Sequence, residues 1–364
     1  MSEKTVVIAA GGTGGHMFPA SAFAEEMRAR GYRIVLITDE RGRRYADKFP
    51  ADAIHGVSAA TIQGVHPLRA IKAMAAIWKG LGEANALLRR LEPVLVAGFG
   101  GYPSLPALWA AKQQKRPILI HEQNAVLGRV NRLFAKDAAA IACGFDRLDQ
   151  LPSSAAARKH PVGNPARPAI VAARATPYPE VHAGAEIRLL IIGGSQGARI
   201  LGEVVPAAIA MLPEALRRRL WVTQQVREEQ LHQVRRSYAQ AGVRHEAAAF
   251  FSDIAPRIAA AHLVIARAGA SSVTELQVIG RPAILVPLAI AADDHQSANA
   301  ESMALVAAAD VVPEGQFDAA GLAQLLATRL NDVHGLSVRA AAARAAGRTE
   351  AAQALADLAE QIGR

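Results

Sequence analysis

A strand, a glycine loop and a helix occur in that order twice, 182 residues apart. Residues 6–10 form an apolar run closed by the loop 11–15 (GGTGG), and apolar residues at helical spacing follow. Residues 187–192 form a second largely apolar run, closed by the loop 193–197 (GGSQG) and followed by another helical pattern. Because the offset is half of the 364 residues, the pattern predicts one copy of a related α/β domain in each half.

A longer order of elements recurs as well: strand, glycine turn, helix, Arg-Pro, strand and polar loop. It covers residues 94–124 in the first half, ending on HEQN, and residues 263–296 in the second, ending on DDHQ. Strands that alternate with helices predict parallel sheets with right-handed crossovers. Such sheets bind ligands at the carboxyl ends of their strands, where both polar loops are expected. Residues 152–185, rich in Pro and Ala, predict a linker around residues 163–165, and residues 349–362 predict a terminal helix.

Composition excludes several classes of protein. A single cysteine, Cys143, excludes an internal disulfide and a Cys-based zinc site. No uncharged apolar run reaches ~18 residues, which argues against a membrane span, and the first apolar run ends at Gly11, too early for a secretory signal, so a cytoplasmic location is expected. The net charge of +9 suits a nucleic acid, an anionic lipid surface or a phosphate-bearing small molecule, but 5% aromatic residues argue against single-strand stacking platforms.

The first glycine loop departs from the dinucleotide-binding fingerprint. Met17 stands where the third glycine belongs, and Asp39 comes later than the acidic residue of that motif. A helix N-terminus suited to a phosphate is one remaining interpretation, and a tight turn without a ligand is another. His16, at the start of the helix, is either a neutral imidazole base or a structural residue.

The other polar segments also leave alternatives. The HEQN segment is a functional loop or an ordinary surface loop; DDHQ holds a metal, binds sugar hydroxyls or is a solvated loop. Glu275 accepts hydrogen bonds from a vicinal diol or stabilises a helix dipole. Arg69, Lys72, Trp78 and Lys79 lie with Ile71, Met74 and Ile77 in a basic amphipathic stretch, which predicts an anionic membrane interface or a buried face with solvated lysines.

Six motifs taken together resemble the MurG family, which transfers N-acetylglucosamine (GlcNAc) from UDP-GlcNAc to lipid I in peptidoglycan synthesis. These are residues 11–16 (GGTGGH), 100–104 (GGYPS), 121–124 (HEQN), 163–165 (GNP), 193–198 (GGSQGA) and the helix start at 269–275. The resemblance implies the GT-B α/β fold: two Rossmann-like doubly wound domains facing a cleft, with the C-terminal helix packing back on the first. It further implies an acceptor and membrane domain at residues 1–164 plus 346–364, and a UDP-GlcNAc domain at residues 165–345.

The resemblance also assigns roles to individual residues. His16 would be the catalytic base, with Glu122 as support or substitute, and Tyr102 and Asn131 would flank the acceptor. Glu275 would bind the ribose, the backbone at Phe251 the uracil, and Gln296 with Asn299 the GlcNAc hydroxyls. The full set assigned to UDP-GlcNAc is Thr13, Gly14, Gly15, Asn124, Arg167, Ser195, Gln196, Phe251, Ala270, Ser271, Ser272, Val273, Thr274, Glu275, His295, Gln296 and Asn299. The family often has paired glutamines where this chain has His295-Gln296, which makes the His295 contact the weaker assignment.

The implied reaction is a direct displacement with inversion, which gives lipid II. No metal and no obligatory cofactor is expected, because backbone donors of residues 195–197 and a helix dipole would stabilise the leaving diphosphate. The expected partners are UDP-GlcNAc, lipid I, the anionic inner leaflet of the cytoplasmic membrane and other cell-wall and division proteins, with no nucleic acid. The expected location is the cytoplasmic face of that membrane. The alternatives are another GT-B enzyme, such as a diacylglycerol glycosyltransferase or a UDP-GlcNAc 2-epimerase, and a non-enzymatic binding protein.

Overall fold

The computed structural model describes residues 4–40, 42–43, 48–57, 67–180, 182, 184–194, 197–289 and 291–363, except for the side chains of 67–76 and 292. The chain divides into two compact units. One comprises Met1–Arg167 with Thr349–Arg364, and the other comprises Pro168–Arg348. The boundaries predicted from sequence, after residue 164 and before residue 346, lie three residues ahead of these.

In its described residues the first unit contains a parallel sheet in the order β3-β2-β1-β4-β5-β6-β7. Its strands are β1 (Thr5–Ala9), β2 (Arg33–Thr38), β3 (Ala53–Gly56), β4 (Leu95–Gly98), β5 (Ile118–Glu122), β6 (Ala140–Cys143) and β7 (Lys159–His160). Its helices are α1 (Gly14–Ala29), α2 (Pro67–Leu91), α3 (Ser104–Gln113) and α4 (Arg129–Phe134), with a 3-10 turn at Ser153–Arg158.

The second unit, as far as it is described, contains a parallel sheet in the order β10-β9-β8-β11-β12-β13. Its strands are β8 (Ile187–Ile192), β9 (Leu220–Gln225), β10 (Arg244–Ala248), β11 (Leu263–Ala266), β12 (Ala283–Leu285) and β13 (Ala309–Val311). Its helices are α5 (Pro168–Ala173), α6 (Arg199–Ala210), α7 (Glu214–Arg217), α8 (Leu231–Gln240), α9 (Ile254–Ala260), α10 (Ala270–Ile279), α11 (His295–Ala304), α12 (Ala319–Asn331) and α13 (Val333–Ala346). Three 3-10 turns lie at Glu228–Gln230, Ala292–Asp294 and Glu314–Gln316, and the last helix, α14 (Ala351–Ile362), belongs to the first unit.

The six strands of the second sheet follow the order of the first six strands of the first sheet, which confirms the duplication predicted from sequence. In each, the first strand of the unit pairs with the second on one side and with the fourth on the other. The order therefore reverses between β1 and β4, and again between β8 and β11. In open parallel sheets the crevice at such a switch point is where ligands bind.

The two glycine pairs meet similar backbone requirements. A Cβ on Gly11 would lie 2.7 Å from Oδ1 of Asp39, and a Cβ on Gly193 would lie 2.3 Å from the backbone nitrogen of Ala198. The next residues, Gly12 and Gly194, have φ of +82° and +79°, in the left-handed region that favours glycine. Close approach thus requires the first glycine of each pair, and backbone conformation favours the second.

Helices cover both faces of the first sheet. Val7 and Ala9 of β1 point into a core with α2 and α3, whereas Val6 and Ile8 point into a second core with α1. Leu355 and other apolar residues of α14 complete this second core. Alternating burial on two faces explains why the strands read as continuous apolar runs rather than as alternating ones.

Candidate active site

The first unit gathers its polar residues at the carboxyl ends of β1, β4 and β5. One expectation was wrong in detail: His121 and Glu122 are the last two residues of β5, both buried, and not part of a loop after it. Gln123 and Asn124 follow the strand. The predicted surface-loop alternative for this segment therefore does not hold at His121, Glu122 or Gln123, all of which are buried.

His16 lies in the first turn of α1 and is partly exposed. Its Nδ1 is 2.9 Å from Oε1 of Gln123. A Cβ on Gly100 would lie 3.3 Å from Cε1 of His16 and 3.3 Å from Nδ2 of Asn131. The turn after β4 thus brings the backbone against His16 and Asn131, and a side chain larger than hydrogen at residue 100 would intrude between them.

Behind His16, hydrogen bonds continue into the buried part of the unit. Nε2 of Gln123 is 2.9 Å from Nδ1 of His121 and 3.0 Å from the His121 carbonyl oxygen. Nε2 of His121 is 3.1 Å from the carbonyl oxygen of Gly163. Burial lowers the pKa of His121 to about 4, so its imidazole is neutral near pH 7. Sequence reasoning missed Gln123, although it lies inside a motif that was singled out.

The Glu122 carboxylate accepts four hydrogen bonds. Oε1 accepts from the backbone and side-chain nitrogens of Asn124, each at 3.1 Å. Oε2 accepts from the backbone nitrogen of Gly128 at 2.9 Å and from Nδ2 of Asn131 at 2.8 Å. A carboxylate offers about four acceptor sites, so these contacts satisfy it. Glu122 therefore orients Asn124 and Asn131 and fixes the loop between them.

Asn131 is buried, and its side-chain oxygen Oδ1 has no hydrogen-bond partner among the described residues. Because Glu122 can only accept, the amide nitrogen of Asn131 must face Glu122 and the oxygen must face away from it. A buried acceptor without a partner is costly, and a ligand hydroxyl would remove that cost. Tyr102, the other predicted acceptor residue, is 42% exposed just ahead of α3.

The first glycine loop leads into α1 without a side-chain cap from Thr13. Thr13 and Gly15 are exposed and Gly14 is buried. Oδ1 of Asp39 accepts from the backbone nitrogens of Gly12 (3.1 Å) and Gly42 (2.8 Å). Asp39, which comes too late in the sequence to be the acidic residue of the dinucleotide-binding motif, therefore stabilises the loop itself.

The second glycine loop is held by Gln225 at the end of β9. Its Oε1 accepts from the Gly193 nitrogen at 3.3 Å, and its Nε2 donates to the Gly194 carbonyl at 3.1 Å. Ser195 and Gln196, both predicted diphosphate contacts, lie outside the described residues. The sequence offered no signal for Gln225, since only the parallel pairing of β8 with β9 brings it to this loop.

Helix α10 begins after Gly269, whose extended backbone leaves room for a close approach. Its first turn carries no acidic side chain, and the first backbone N–H groups of a helix are unpaired within it, which favours an anion there. Ser271 has a buried hydroxyl oxygen without a hydrogen-bond partner in the described structure. The predicted nucleotide residues of this helix divide into partly exposed ones (Ser271, Ser272) and buried ones (Ala270, Val273, Thr274, Glu275).

The predicted sugar contacts lie on α11, which starts at His295. Oε1 of Gln296 accepts a hydrogen bond from the Leu288 nitrogen at 3.0 Å, so the amide nitrogen of Gln296 is not the atom that faces Leu288. Asn299 is fully buried, and its Nδ2 donates to the Ala268 carbonyl at 3.1 Å. Asn299 thus fixes the turn that precedes Gly269, while its assignment to a sugar hydroxyl stays a prediction.

Two other residues predicted to bind UDP-GlcNAc make cation–π contacts within the protein. Phe251 is buried, with the Arg257 guanidinium carbon 4.1 Å from its ring centroid. Arg167 belongs to the first unit, where its guanidinium carbon is 4.8 Å from the ring centroid of Phe18. Contact of either residue with UDP-GlcNAc stays a prediction.

The basic amphipathic stretch forms part of α2. The side chains of Arg69, Ile71, Lys72 and Met74 lie outside the described residues. Trp78 is 66% exposed, and Lys79 pairs with Glu83 at 3.8 Å. Within the described chain no helix is both long and apolar enough to cross a membrane, and no group of three or more His, Cys, Asp or Glu residues could hold a metal ion.

Comparison with known proteins agrees with this arrangement. Residues 6–143 match the glycosyltransferase family 28 N-terminal domain, and residues 188–362 match the family 28 C-terminal domain. The chain is 50% identical to UDP-N-acetylglucosamine–N-acetylmuramyl-(pentapeptide) pyrophosphoryl-undecaprenol N-acetylglucosamine transferase of Maricaulis maris, over 98% of this chain and 97% of the relative. It is also 50% identical to the protein of the same name in Caulobacter vibrioides, over the full length of both.

A solved structure extends the likeness to the fold. The crystal structure of Acinetobacter baumannii MurG is similar with a TM-score of 0.80 and 31% sequence identity, covering 98% of this chain and 99% of that one. The predicted fold class, α/β with two Rossmann-like parallel-sheet domains as in GT-B glycosyltransferases, is confirmed. The chain therefore belongs to glycosyltransferase family 28 and, within it, to the MurG family of N-acetylglucosaminyltransferases.

Proposed function

We propose that the protein transfers GlcNAc from UDP-GlcNAc to the C4 hydroxyl of N-acetylmuramic acid in lipid I, which gives lipid II for peptidoglycan synthesis. In the structure, the observation that carries this proposal is the environment of His16. It lies at the carboxyl edge of the first sheet, is held through Nδ1, and has no hydrogen bond to Nε2 from any described residue. A partly exposed imidazole with one nitrogen anchored is suited to general base catalysis.

The reaction is a single displacement. The C4 oxygen of the acceptor forms a bond to the anomeric carbon of GlcNAc, the bond from that carbon to the UDP oxygen breaks, and the configuration inverts. The hydroxyl proton passes to Nε2 of His16, and the electron pair of the broken bond leaves with the diphosphate. This chemistry requires one base and one site that stabilises a developing negative charge.

In the first unit, we assign the acceptor to the residues around His16. The buried Oδ1 of Asn131 is oriented away from Glu122 and would accept a hydrogen bond from an acceptor hydroxyl. The Asn124 side chain is held by the same Glu122 carboxylate. Tyr102 is exposed in the segment between β4 and α3. Glu122, whose four hydrogen bonds are all within the protein, is a positioning residue in this assignment and not the base.

In the second unit, we assign the donor to the switch point between β8 and β11. The N-terminus of α10 would supply backbone N–H groups for the diphosphate, and the Ser271 hydroxyl lies in the same first turn. Glu275 would accept from the ribose hydroxyls, and the amide nitrogen of Gln296 would donate to the sugar. The backbone N–H groups and the Ser271 hydroxyl would stabilise the negative charge of the leaving diphosphate, and the proposal includes no obligatory cofactor.

The acceptor is a lipid, so we also propose a membrane-facing surface on the first unit, centred on Trp78. An exposed tryptophan beside lysine is typical of residues at the lipid headgroup level, and the net charge of +9 favours an anionic leaflet. The protein would therefore act at the cytoplasmic face of the membrane, where lipid I is presented. Binding to other cell-wall and division proteins stays a sequence-based expectation.

A transfer assay tests the proposed reaction. Radiolabelled UDP-GlcNAc is incubated with a short-chain lipid I analogue, one parallel reaction omits the acceptor, and another replaces it with diacylglycerol. A labelled disaccharide product that depends on the acceptor supports the proposal. Conversion of UDP-GlcNAc without acceptor would indicate an epimerase, product only with diacylglycerol would indicate a lipid glycosyltransferase, and binding without conversion would indicate a non-enzymatic protein.

A further inference from the structure

The orientation of the Gln123 side chain is determined by a backbone carbonyl. A carbonyl oxygen can only accept a hydrogen bond, and the His121 carbonyl lies 3.0 Å from one terminal atom of the Gln123 amide. That atom must be the nitrogen. The amide oxygen then faces His16, at 2.9 Å from its Nδ1.

This orientation determines which nitrogen of His16 carries the proton. The Gln123 oxygen can only accept, so Nδ1 of His16 must be the N–H that donates to it. In the neutral imidazole the other nitrogen, Nε2, then holds a lone pair. No described residue hydrogen-bonds to Nε2, which leaves the lone pair available to a substrate hydroxyl.

His121 supports the same direction independently. Its Nε2 lies 3.1 Å from the Gly163 carbonyl, which can only accept, so this nitrogen must donate. The Nδ1 of a neutral His121 is then an acceptor, and it lies 2.9 Å from the Gln123 nitrogen. Asn164 fixes the backbone of Gln123, since its Nδ2 donates to the Gln123 carbonyl at 2.9 Å. Two carbonyls, of His121 and Gly163, thus impose one direction on the whole chain of hydrogen bonds.

We infer that Gln123, oriented by His121 and Gly163, is a positioning residue that selects the His16 tautomer with the proton on Nδ1 and the basic lone pair on Nε2. In water the neutral imidazole of histidine favours the opposite tautomer, with the proton on Nε2. Gln123 therefore holds His16 in the form that is less populated in solution and that can remove a proton through Nε2. The inference rests on the proposed function, in which His16 is the base.

Nitrogen NMR tests the tautomer in the wild-type protein without reference to activity. The protein is labelled with ¹⁵N-histidine, and the His16 signals are identified by their loss in His16→Gln. The expected result is a neutral His16 with its proton on Nδ1 near pH 8. A neutral His16 with its proton on Nε2 would overturn the inference, even if the transferase reaction proceeds.

Gln123→Met then removes both hydrogen-bonding groups with little change in volume. We expect the His16 proton to redistribute toward Nε2, kcat to fall about 10- to 100-fold, and the KM for UDP-GlcNAc to stay within about twofold. Gln114→Met is the matched control, because Gln114 also donates from its amide to a backbone carbonyl, that of Asn85, in the same unit. This control should leave both the tautomer and kcat unchanged.

Gln123→Glu restores an acceptor toward His16 but places a negative charge beside it. We expect the tautomer to be retained, and the acid limb of the kcat profile to move to higher pH because a carboxylate stabilises the imidazolium. A Gln123→Met protein that is folded and keeps wild-type kcat would overturn the inference. Wild-type protein that transfers no GlcNAc would instead overturn the proposed function, while the NMR result would still decide the tautomer.

Discussion

At the residue scale, the two candidate bases of the first unit have different surroundings. Glu122 is buried, and each of its oxygens accepts two hydrogen bonds from the protein. His16 is partly exposed and is held through one nitrogen only. A general base needs a free acceptor atom within reach of the substrate, so the surroundings favour His16.

Exchanging each residue should separate catalysis from scaffolding. His16→Ala should lower kcat by about 10²- to 10⁴-fold, with UDP-GlcNAc binding by calorimetry unchanged. Glu122→Gln places an amide nitrogen among hydrogen-bond donors, so it should lower the free energy of unfolding by about 1–3 kcal/mol while the acid limb of the rate profile persists. A fully stable Glu122→Gln protein that has lost this limb would identify Glu122 as the base.

His121 makes stability depend on pH. Its pKa in the folded protein is about 4, below its ordinary value of 6.5, because burial disfavours the charged form. Between these values the unfolded state binds more protons, so stability is full above pH 6.5 and falls toward pH 4, by up to about 3 kcal/mol. Urea unfolding across pH 4–7 measures this slope. His121→Gln, which keeps a donor toward Gly163 but cannot titrate, should flatten it; an unchanged slope would contradict the assignment.

At the element scale, helix ends in the second unit depend on a buried arginine. Arg281 donates to the carbonyls of Ala259, Ile279 and Gly280, at the C-terminal ends of α9 and α10, and to those of Thr176 and Pro177. Burial lowers its pKa to about 10. A cation at the negative ends of two helices is favourable, which explains how the guanidinium is accommodated in the interior.

Removing this group should destabilise the second unit. Arg281→Met leaves several buried carbonyls without a donor, and we expect a loss of about 3–5 kcal/mol in thermal or urea unfolding. Arg281→Lys keeps the charge with fewer donors and should lose less. Arg116 is the comparison residue, since it occupies the corresponding Arg-Pro position of the first unit and pairs with Glu92 at 3.6 Å near the surface. Equal losses for Arg116→Met and Arg281→Met would contradict this explanation.

Sequence patterns predicted the central elements well and the polar ends less well. β8 and β11 begin and end where the apolar runs do, because every residue of these strands except the exposed Arg188 is buried. β5 continues two residues beyond its apolar run, since parallel pairing with β6 extends through His121 and Glu122. A polar residue at the end of a strand is predicted as loop from the sequence. Its place in the strand depends on hydrogen bonds to the neighbouring strand, which the sequence does not show.

At the scale of the whole molecule, the end of the chain completes the core of the first unit. Leu355 of α14 is fully buried with residues of α1. Leu355→Ala should cost about 2–5 kcal/mol in unfolding of the first unit. Leu305→Ala, at a 76% exposed position just after α11, should change stability by less than about 0.5 kcal/mol. A small effect of Leu355→Ala would mean that α14 is dispensable for folding.

Net charge and Trp78 together predict how the molecule finds its lipid substrate. Binding to vesicles should require anionic lipid and weaken at high salt, because surface charges are screened. Trp78→Ala should weaken this binding, whereas Trp221→Ala, a 37% exposed tryptophan of the second unit, should leave it unchanged. Vesicle sedimentation with and without anionic lipid measures both. Equal binding by all three proteins would remove Trp78 from the proposed membrane surface.

Three properties could be predicted from the amino-acid sequence: the duplication, the parallel α/β class and the edge of each sheet that carries the polar residues. These follow from local patterns: apolar runs, glycine pairs and helical spacing are properties of neighbouring residues. Tertiary structure decided the hydrogen-bond partners: Gln123 between His16 and His121, Asp39 under the first glycine loop, Gln225 under the second and Asn131 against Glu122. Each of these joins separate elements or sequence-distant segments, and hydrogen-bond direction depends on distances and carbonyl positions that sequence spacing does not contain.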